Sequence, residues 1–228
     1  MKISGLQKLT LLDYPGKMAC TVFTYGCNFR CPFCHNALLV TEENSDNISE
    51  AEFFAFLKKR QGILEGVCIS GGEPTLQKDL TEFIGKIKAM GYAVKLDTNG
   101  SKPEVLRNLI EENLLDYVAM DIKNSPAKYS LTCGCEVDMA QVKESVSIIK
   151  KSGIDHEFRT TTVRELHSAD DFNEIAEWLA GDSRYFLQHF EDSGNLIGDN
   201  LSAFNKDEMT IFAESIRSKL TNVTIRGV

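Results

Sequence analysis

Short apolar runs alternate with amphipathic stretches along almost the whole chain. Residues 18–24 (MACTVFT) predict a buried strand leading into a cysteine-rich loop. In 49–60, Phe53, Phe54, Phe56 and Leu57 share a helical face. Ser49, with Glu52 three residues on, predicts a capping box at its start. Residues 66–70 (GVCIS) form a β-rich run closed by Gly71-Gly72. A helix over 80–90 ends at Gly91, a C′ glycine. Strand 92–96, helix 103–113 with Pro103 in its first turn, and strand 115–122 follow. Then come helix 138–151 closed by Gly153, strand 156–163, helix 169–180 around Trp178 as a core residue, strand 185–190, helix 206–220 and a short strand 223–226. About six β–α units in order predict a parallel sheet with outer helices, open or barrel-like. The expectation is a single α/β domain over 1–228: an N-terminal extension (1–17), a barrel core (18–200), and a C-terminal helix and strand (201–228).

Composition narrows the class. The 228 residues are 43% hydrophobic and 25% charged with net charge −8, an ordinary balance that predicts no nucleic-acid partner. No apolar run approaches the ~18 residues of a membrane span, and the start of the chain does not read as a signal peptide. The seven cysteines are odd in number. The expectation is a cytoplasmic protein with reduced thiols.

Candidate chemistry collects after the strands, where such barrels carry their sites. Cys27, Cys31 and Cys34 stand at C-x3-C-x2-C spacing, with Phe33 just before the third. Three soft thiolates suit zinc or an iron–sulfur cluster, but structural zinc takes four ligands and no fourth is evident. Gly71-Gly72-Glu73-Pro74, Asp97-Thr98-Asn99-Gly100 and Asp121-Ile122-Lys123 follow later strands. Cys20 and Cys68 read as small buried residues, and Cys133-Gly134-Cys135 as a thiol pair in a loop with no assigned role.

These residues resemble the radical S-adenosylmethionine superfamily: the cysteine loop with its aromatic, then the GGEP motif. Cys34-His35-Asn36, Asp97-Thr98-Asn99-Gly100 and Asp121-Ile122-Lys123 resemble motifs of pyruvate formate-lyase activase. The opening 5–17, with its Leu12-Asp13-Tyr14-Pro15-Gly16-Lys17, and Arg159-Thr160-Thr161 most resemble anaerobic ribonucleoside-triphosphate reductase activating proteins. The resemblance implies a partial (β/α)6 barrel in which Cys27, Cys31 and Cys34 bind a [4Fe-4S] cluster. The cluster's free iron would chelate S-adenosylmethionine, which is then cleaved to a 5′-deoxyadenosyl radical.

By the same resemblance, Phe33, Asn36, Gly71, Gly72, Glu73 and Lys123 belong to the cofactor site. The glycine backbone would receive the methionyl ammonium, Glu73 would fix the loop, and Lys123 would reach the ribose or carboxylate. Asp97, Thr98, Asp121 and the Ala119 carbonyl would hold a monovalent cation, with turn capping as the alternative for the two acids. Asp13 and Arg159 would pair when a partner's loop enters. One of Gln188 and His189 would face the cofactor, because adjacent strand residues point opposite ways. The implied partners are a glycyl radical enzyme, the anaerobic ribonucleotide reductase first, and a low-potential donor such as flavodoxin or ferredoxin. The 36 residues between Cys34 and Gly71 hold only Cys68, leaving no room for a ferredoxin-like cluster insert. Three alternatives stay open: a pyruvate formate-lyase-type activase, a small-molecule radical enzyme such as a deazaguanine synthase, and a zinc or redox binding module.

Overall fold

The computed structural model describes residues 1–41 and 47–228. Among the described residues the strands form one sheet in sequence order: β1 (Ile3–Thr10), β2 (Ala19–Thr24), β3 (Gly66–Gly71), β4 (Ala93–Thr98), β5 (Tyr117–Asp121), β6 (Asp155–Thr162), β7 (Gly181–His189) and β8 (Leu220–Arg226). From β2 to β8 every pairing is parallel. β1 runs antiparallel to β2 and forms one edge. No pairing joins β1 to β8 among the described residues, so the barrel is open. Residues 1–17, expected as an extension, thus supply a strand of the sheet. The expected last short strand, 223–226, is the seventh member of the parallel run; it starts earlier, at Leu220, where the sequence reading still had helix.

The helices α1 (Ala37–Thr41), α2 (Glu50–Lys59), α3 (Leu80–Ala89), α4 (Pro103–Glu111), α5 (Tyr129–Cys133), α6 (Met139–Ser152), α7 (Ala169–Leu179) and α8 (Lys206–Ile216) fill the connections. The Ser49–Glu52 capping box at α2 is present. The sequence reading assigned no element to α1 or α5; each has five residues, too few to display a helical period.

Strand alternation sorts side chains into two layers. Val94, Leu96, Val118, Met120 and Phe158 are fully buried in the large core that includes α3, α4 and α6. Trp178 packs edge-on against Tyr129 in that core. A second, small core holds Tyr14, Ala19, Tyr117 and Ala119 at the N-terminal ends of the strands. Tyr14 belongs to the segment between β1 and β2. Its ring lies 6.0 Å from that of Tyr117, and a Cβ on Gly66 would touch it at 3.0 Å. This segment stops the bottom of the barrel and leaves the opposite end for the site.

Candidate active site

At the C-terminal ends of the strands lies a cavity of about 430 Å³. All three cysteines of the loop after β2 line it, as do Phe33, Asn36, Gly71, Gly72, Glu73, Asp97, Thr98, Asp121, Lys123, Arg159 and Gln188. Asp13 also lines it. His189 is not among the lining residues, so of the adjacent pair it is Gln188 that reaches the cavity.

Local backbone contacts explain the GGEP motif. The Gly72 N–H donates to the Thr24 carbonyl (2.9 Å) and the Glu73 N–H to that of Gly26 (2.8 Å). A Cβ on Gly72 would stand 2.0 Å from the Gly26 oxygen, and Gly71 has φ +111° with its Cβ position 2.4 Å from the Thr24 nitrogen. The cysteine loop comes so close to these glycines that only glycine leaves it space. Asn36 completes the junction by donating Nδ2–H to the Gly71 carbonyl (3.1 Å).

Glu73 is buried and accepts four hydrogen bonds: from the Thr75 N–H (3.1 Å) and hydroxyl (2.5 Å), the Thr98 hydroxyl (2.8 Å) and the Asn99 N–H (2.7 Å). Burial nevertheless leaves its carboxyl above the usual range. Glu73 therefore fastens the loop after β3 to the loop after β4.

The acids at the ends of β4 and β5 meet cations of the chain itself. The register sets Asp121 beside Arg159, and Arg159 Nε donates to Asp121 Oδ1 at 2.8 Å. Arg159 Nη1 lies 3.4 Å from Asp97 Oδ2. Lys123 donates to Asp121 Oδ2 (3.1 Å), and the buried Lys95 to Asp97. Ser70 donates to Asp97 Oδ2 (3.0 Å). Burial would raise both acids, but Arg159 first, with Lys95 or Lys123 next, outweighs it. Asp97 is held below its ordinary range and Asp121 at about 2.

In the structure the Arg159 guanidinium bridges the two carboxylates from which a monovalent-cation site was expected. Thr98, expected to help hold that cation, donates its hydroxyl hydrogen to Glu73. Asp13 and Arg159, expected to pair when a partner's loop enters, have other partners in the chain alone: Asp13 accepts from the Thr21 hydroxyl (2.5 Å), while Arg159 is engaged by Asp97 and Asp121. The two line the same cavity with separate partners.

The donor set decides whether the cysteines suit a cluster. Cys27 Sγ accepts from the Phe29 N–H (3.4 Å) and from Asn99 Nδ2 (3.9 Å), the kind of N–H···S bond that supports a ligand thiolate. Burial pushes the Cys27 thiol up to about 11 and also raises Cys34. Cys31 goes the other way, because a hydrogen bond from Cys133 and the nearby Lys123 lower it to about 7. Among the described residues no three His, Cys, Asp or Glu side chains are placed to hold a single metal ion. A cubane asks for something else, one thiolate to each of three irons, and three buried or half-buried thiols around one cavity fit it.

Asn99, Lys95, Ser70 and Cys133 were not read from the sequence as site residues. Lys95 carried a signal, since alternation puts it on the same face of β4 as Asp97. Cys133 stood out only as half of a thiol pair, read as lying in a loop; it is the last residue of α5, and nothing in its spacing joins it to the cluster loop.

Known proteins place this arrangement. The family model of the radical SAM superfamily matches residues 21–179. A Methanocaldococcus jannaschii protein, provisionally assigned as a glycyl-radical enzyme activating enzyme, is 34% identical over 235 residues, covering 99% of this chain and 96% of that protein. Two solved structures share the fold. A radical SAM methyltransferase from Sphaerobacter thermophilus has TM-score 0.75 and 16% identity, covering 96% of this chain and 68% of that one. A domain of pyruvate-formate lyase-activating enzyme from Bacteroides vulgatus has TM-score 0.59 and 16% identity, covering 71% and 99%. With the cysteine loop and the GGEP loop locked together at the mouth of an open parallel barrel, and with a family match over most of its length, this chain belongs to the radical SAM superfamily, whose members use a [4Fe-4S] cluster and S-adenosylmethionine.

Proposed function

We propose that this chain is a glycyl-radical-enzyme activase whose partner is the anaerobic, class III ribonucleotide reductase. The observation that carries the reading is the end-to-end match to the M. jannaschii protein. The motifs at 5–17 and 159–161 favour the reductase over other glycyl radical enzymes.

Cys27, Cys31 and Cys34 would hold the cluster. The backbone of Gly71-Gly72, with Lys123 and Gln188, would hold S-adenosylmethionine. When bound there, the cluster and S-adenosylmethionine would supply reductive radical chemistry able to take a hydrogen atom from a glycine Cα of the partner. The chain's own residues order that encounter. Phe29, Phe33 and Val40 are buried and give the cavity an apolar side that excludes water. Tyr14 stops the other end of the barrel, so the glycine-bearing segment enters at the mouth. Arg159 and Asp13 would meet that segment from the cavity wall. Among the described residues no helix is long and apolar enough to cross a membrane; the reading places the protein in the cytoplasm, with flavodoxin or ferredoxin as electron donor.

The test is electron paramagnetic resonance of the anaerobically reconstituted protein mixed with S-adenosylmethionine, a low-potential reductant and either reductase or a pyruvate formate-lyase-type enzyme. A glycyl doublet on the reductase is expected. A doublet on the other enzyme alone moves the reading to that class of activase. Turnover to a small-molecule product with no protein partner would contradict both.

A further inference from the structure

Behind Arg159 stands a second guanidinium and carboxylate, Arg226 and Glu157, neither of which is among the residues that line the cavity. Arg226 lies on β8, the edge strand of the open barrel. It reaches across β7 to Glu157 of β6 with two parallel bonds, Nη1 to Oε1 at 2.9 Å and Nη2 to Oε2 at 3.0 Å. Its guanidinium lies over the ring of Phe186 on the intervening strand, 3.3 Å from the centroid. Such a fork on a carboxylate fixes the geometry of both partners. Glu157 is buried, with 1% of its surface exposed, and also accepts from the Tyr117 hydroxyl (2.9 Å). Arg159 is its neighbour too. Nη1 of Arg159 stands 4.0 Å from Glu157 Oε1 and 3.4 Å from Asp97 Oδ2. One guanidinium nitrogen therefore sits between two carboxylates, and the more enclosed of them has its own cation.

We propose that Arg226 is a positioning residue for Arg159: by occupying Glu157 from the edge of the barrel, it leaves the Arg159 guanidinium to Asp97 and Asp121, and so to the cavity. The inference rests on the reading that Arg159 meets the partner's glycine-bearing segment. A buried carboxylate that loses its cation is costly to keep and attracts the nearest positive group. Without Arg226, Glu157 would keep only the Tyr117 hydroxyl, and the nearest positive group is Arg159. Lys95, the other cation that acts on Glu157, is engaged by Asp97. Glu157 precedes Arg159 by two residues and shares its face of β6. A turn of Nη1 from Asp97 to Glu157 therefore draws the guanidinium deeper into the barrel, away from the mouth. Burial would raise the Glu157 carboxyl; the bond from Arg226 and then the charge of Arg159 bring it below its ordinary range, which keeps it an acceptor for both.

The experiment is nuclear magnetic resonance of the reconstituted full chain with isotope-labelled arginine, the Arg159 signals being assigned by their loss in Arg159→Lys. It compares the parent, Arg226→Gln, Arg226→Lys and the double variant Arg226→Gln/Glu157→Gln, with thermal melting beside it and no partner enzyme. The expected result is a shifted Arg159 guanidinium signal in Arg226→Gln and a return to the parent position in the double variant, where no carboxylate is left to draw it. Arg226→Lys, which keeps the charge but not the fork, should shift it less, and carries the comparison if Arg226→Gln does not fold. An unmoved signal in the Arg226 variants would overturn the proposal, by showing that Glu157 takes up a proton instead of drawing Arg159. So would a shift that persists in the double variant, which would mean lost packing on Phe186. A second readout follows the reaction. The rate of glycyl radical formation on the reductase should fall in Arg226→Gln, by up to about 100-fold, and recover in the double variant. A parent chain that forms no glycyl radical would refute the partner reading, and is told apart because the arginine signals are recorded without the partner.

Discussion

On one side of the cavity the chain touches itself backbone to backbone; on the other it touches through charged side chains. The cysteine loop and the GGEP loop meet where Gly72 admits the Gly26 carbonyl. Across from them, Asp97, Asp121, Lys95, Lys123 and Arg159 form a ladder from alternate positions near the ends of β4, β5 and β6. The first wall is set by shape, and a single added methyl group is enough to disrupt it. The second is set by competing charges that offset one another, so losing one member leaves the others in place with a poorer balance. A wall that carries a metal cluster gains from the first kind of fixing, because ligand positions must hold to within fractions of an ångström. A wall that meets a variable or mobile substrate gains from the second, where a guanidinium can exchange one carboxylate for another.

Substitutions at the two walls should therefore differ in kind. The largest effect is expected at Gly72→Ala. Its methyl would drive the loops apart, and cluster retention should fall about 10–100-fold while the circular dichroism stays near that of the parent. Iron analysis after gel filtration checks this, and full loading would show that the shape argument is wrong.

Next is Asp121→Asn, which leaves Arg159 and Lys123 with less compensation. Asp121 is partly exposed, with 30% of its side chain accessible, so the cost falls between surface and buried pairs, about 1–3 kcal/mol. Its pH dependence follows from its depressed pKa. The stabilisation is full above the ordinary aspartate value of about 4 and is lost as pH falls through about 2. Urea midpoints of parent and variant should differ at pH 6 and converge near pH 2; a constant difference would detach the effect from this carboxylate.

The smallest effect is expected below both walls, at Tyr14→Phe. The Tyr14 hydroxyl is buried without a hydrogen-bond partner among the described residues. Removing it should leave stability unchanged or raise it by about 1 kcal/mol, read as a small upward shift in Tm. A fall of several degrees would mean that this hydroxyl has a role in closing the barrel.

The same contrast governs what could be read from the sequence. The backbone-locked wall was legible because its demands fall on consecutive residues: C-x3-C-x2-C in one loop, GGEP in another. The α/β alternation was legible for the same reason, since each element carries its own period. The charge ladder was not, because Asp97 and Asp121 look the same from the sequence whether they face a metal ion or an arginine. The register of β5 against β6, which sets Asp121 beside Arg159, is visible only in the structure. β1 was missed because it is an edge strand with Gln7, Lys8 and Leu9 exposed in succession, which hides its alternation. Cys133 was visible as an odd thiol, but its meeting with the cluster loop, where the Arg30 N–H donates to its carbonyl, depends on a five-residue helix too short to announce itself.

The central claim is that this site removes a hydrogen atom from a glycine of another protein. It is tested most directly with anaerobic ribonucleotide reductase made with α-deuterated glycine, mixed anaerobically with the reconstituted chain, S-adenosylmethionine and reductant. Mass spectrometry then reads the 5′-deoxyadenosine. The account predicts one deuterium in the 5′-methyl group, formed in step with the glycyl radical signal; 5′-deoxyadenosine that accumulates without deuterium, over a reductase that stays radical-free, would contradict it.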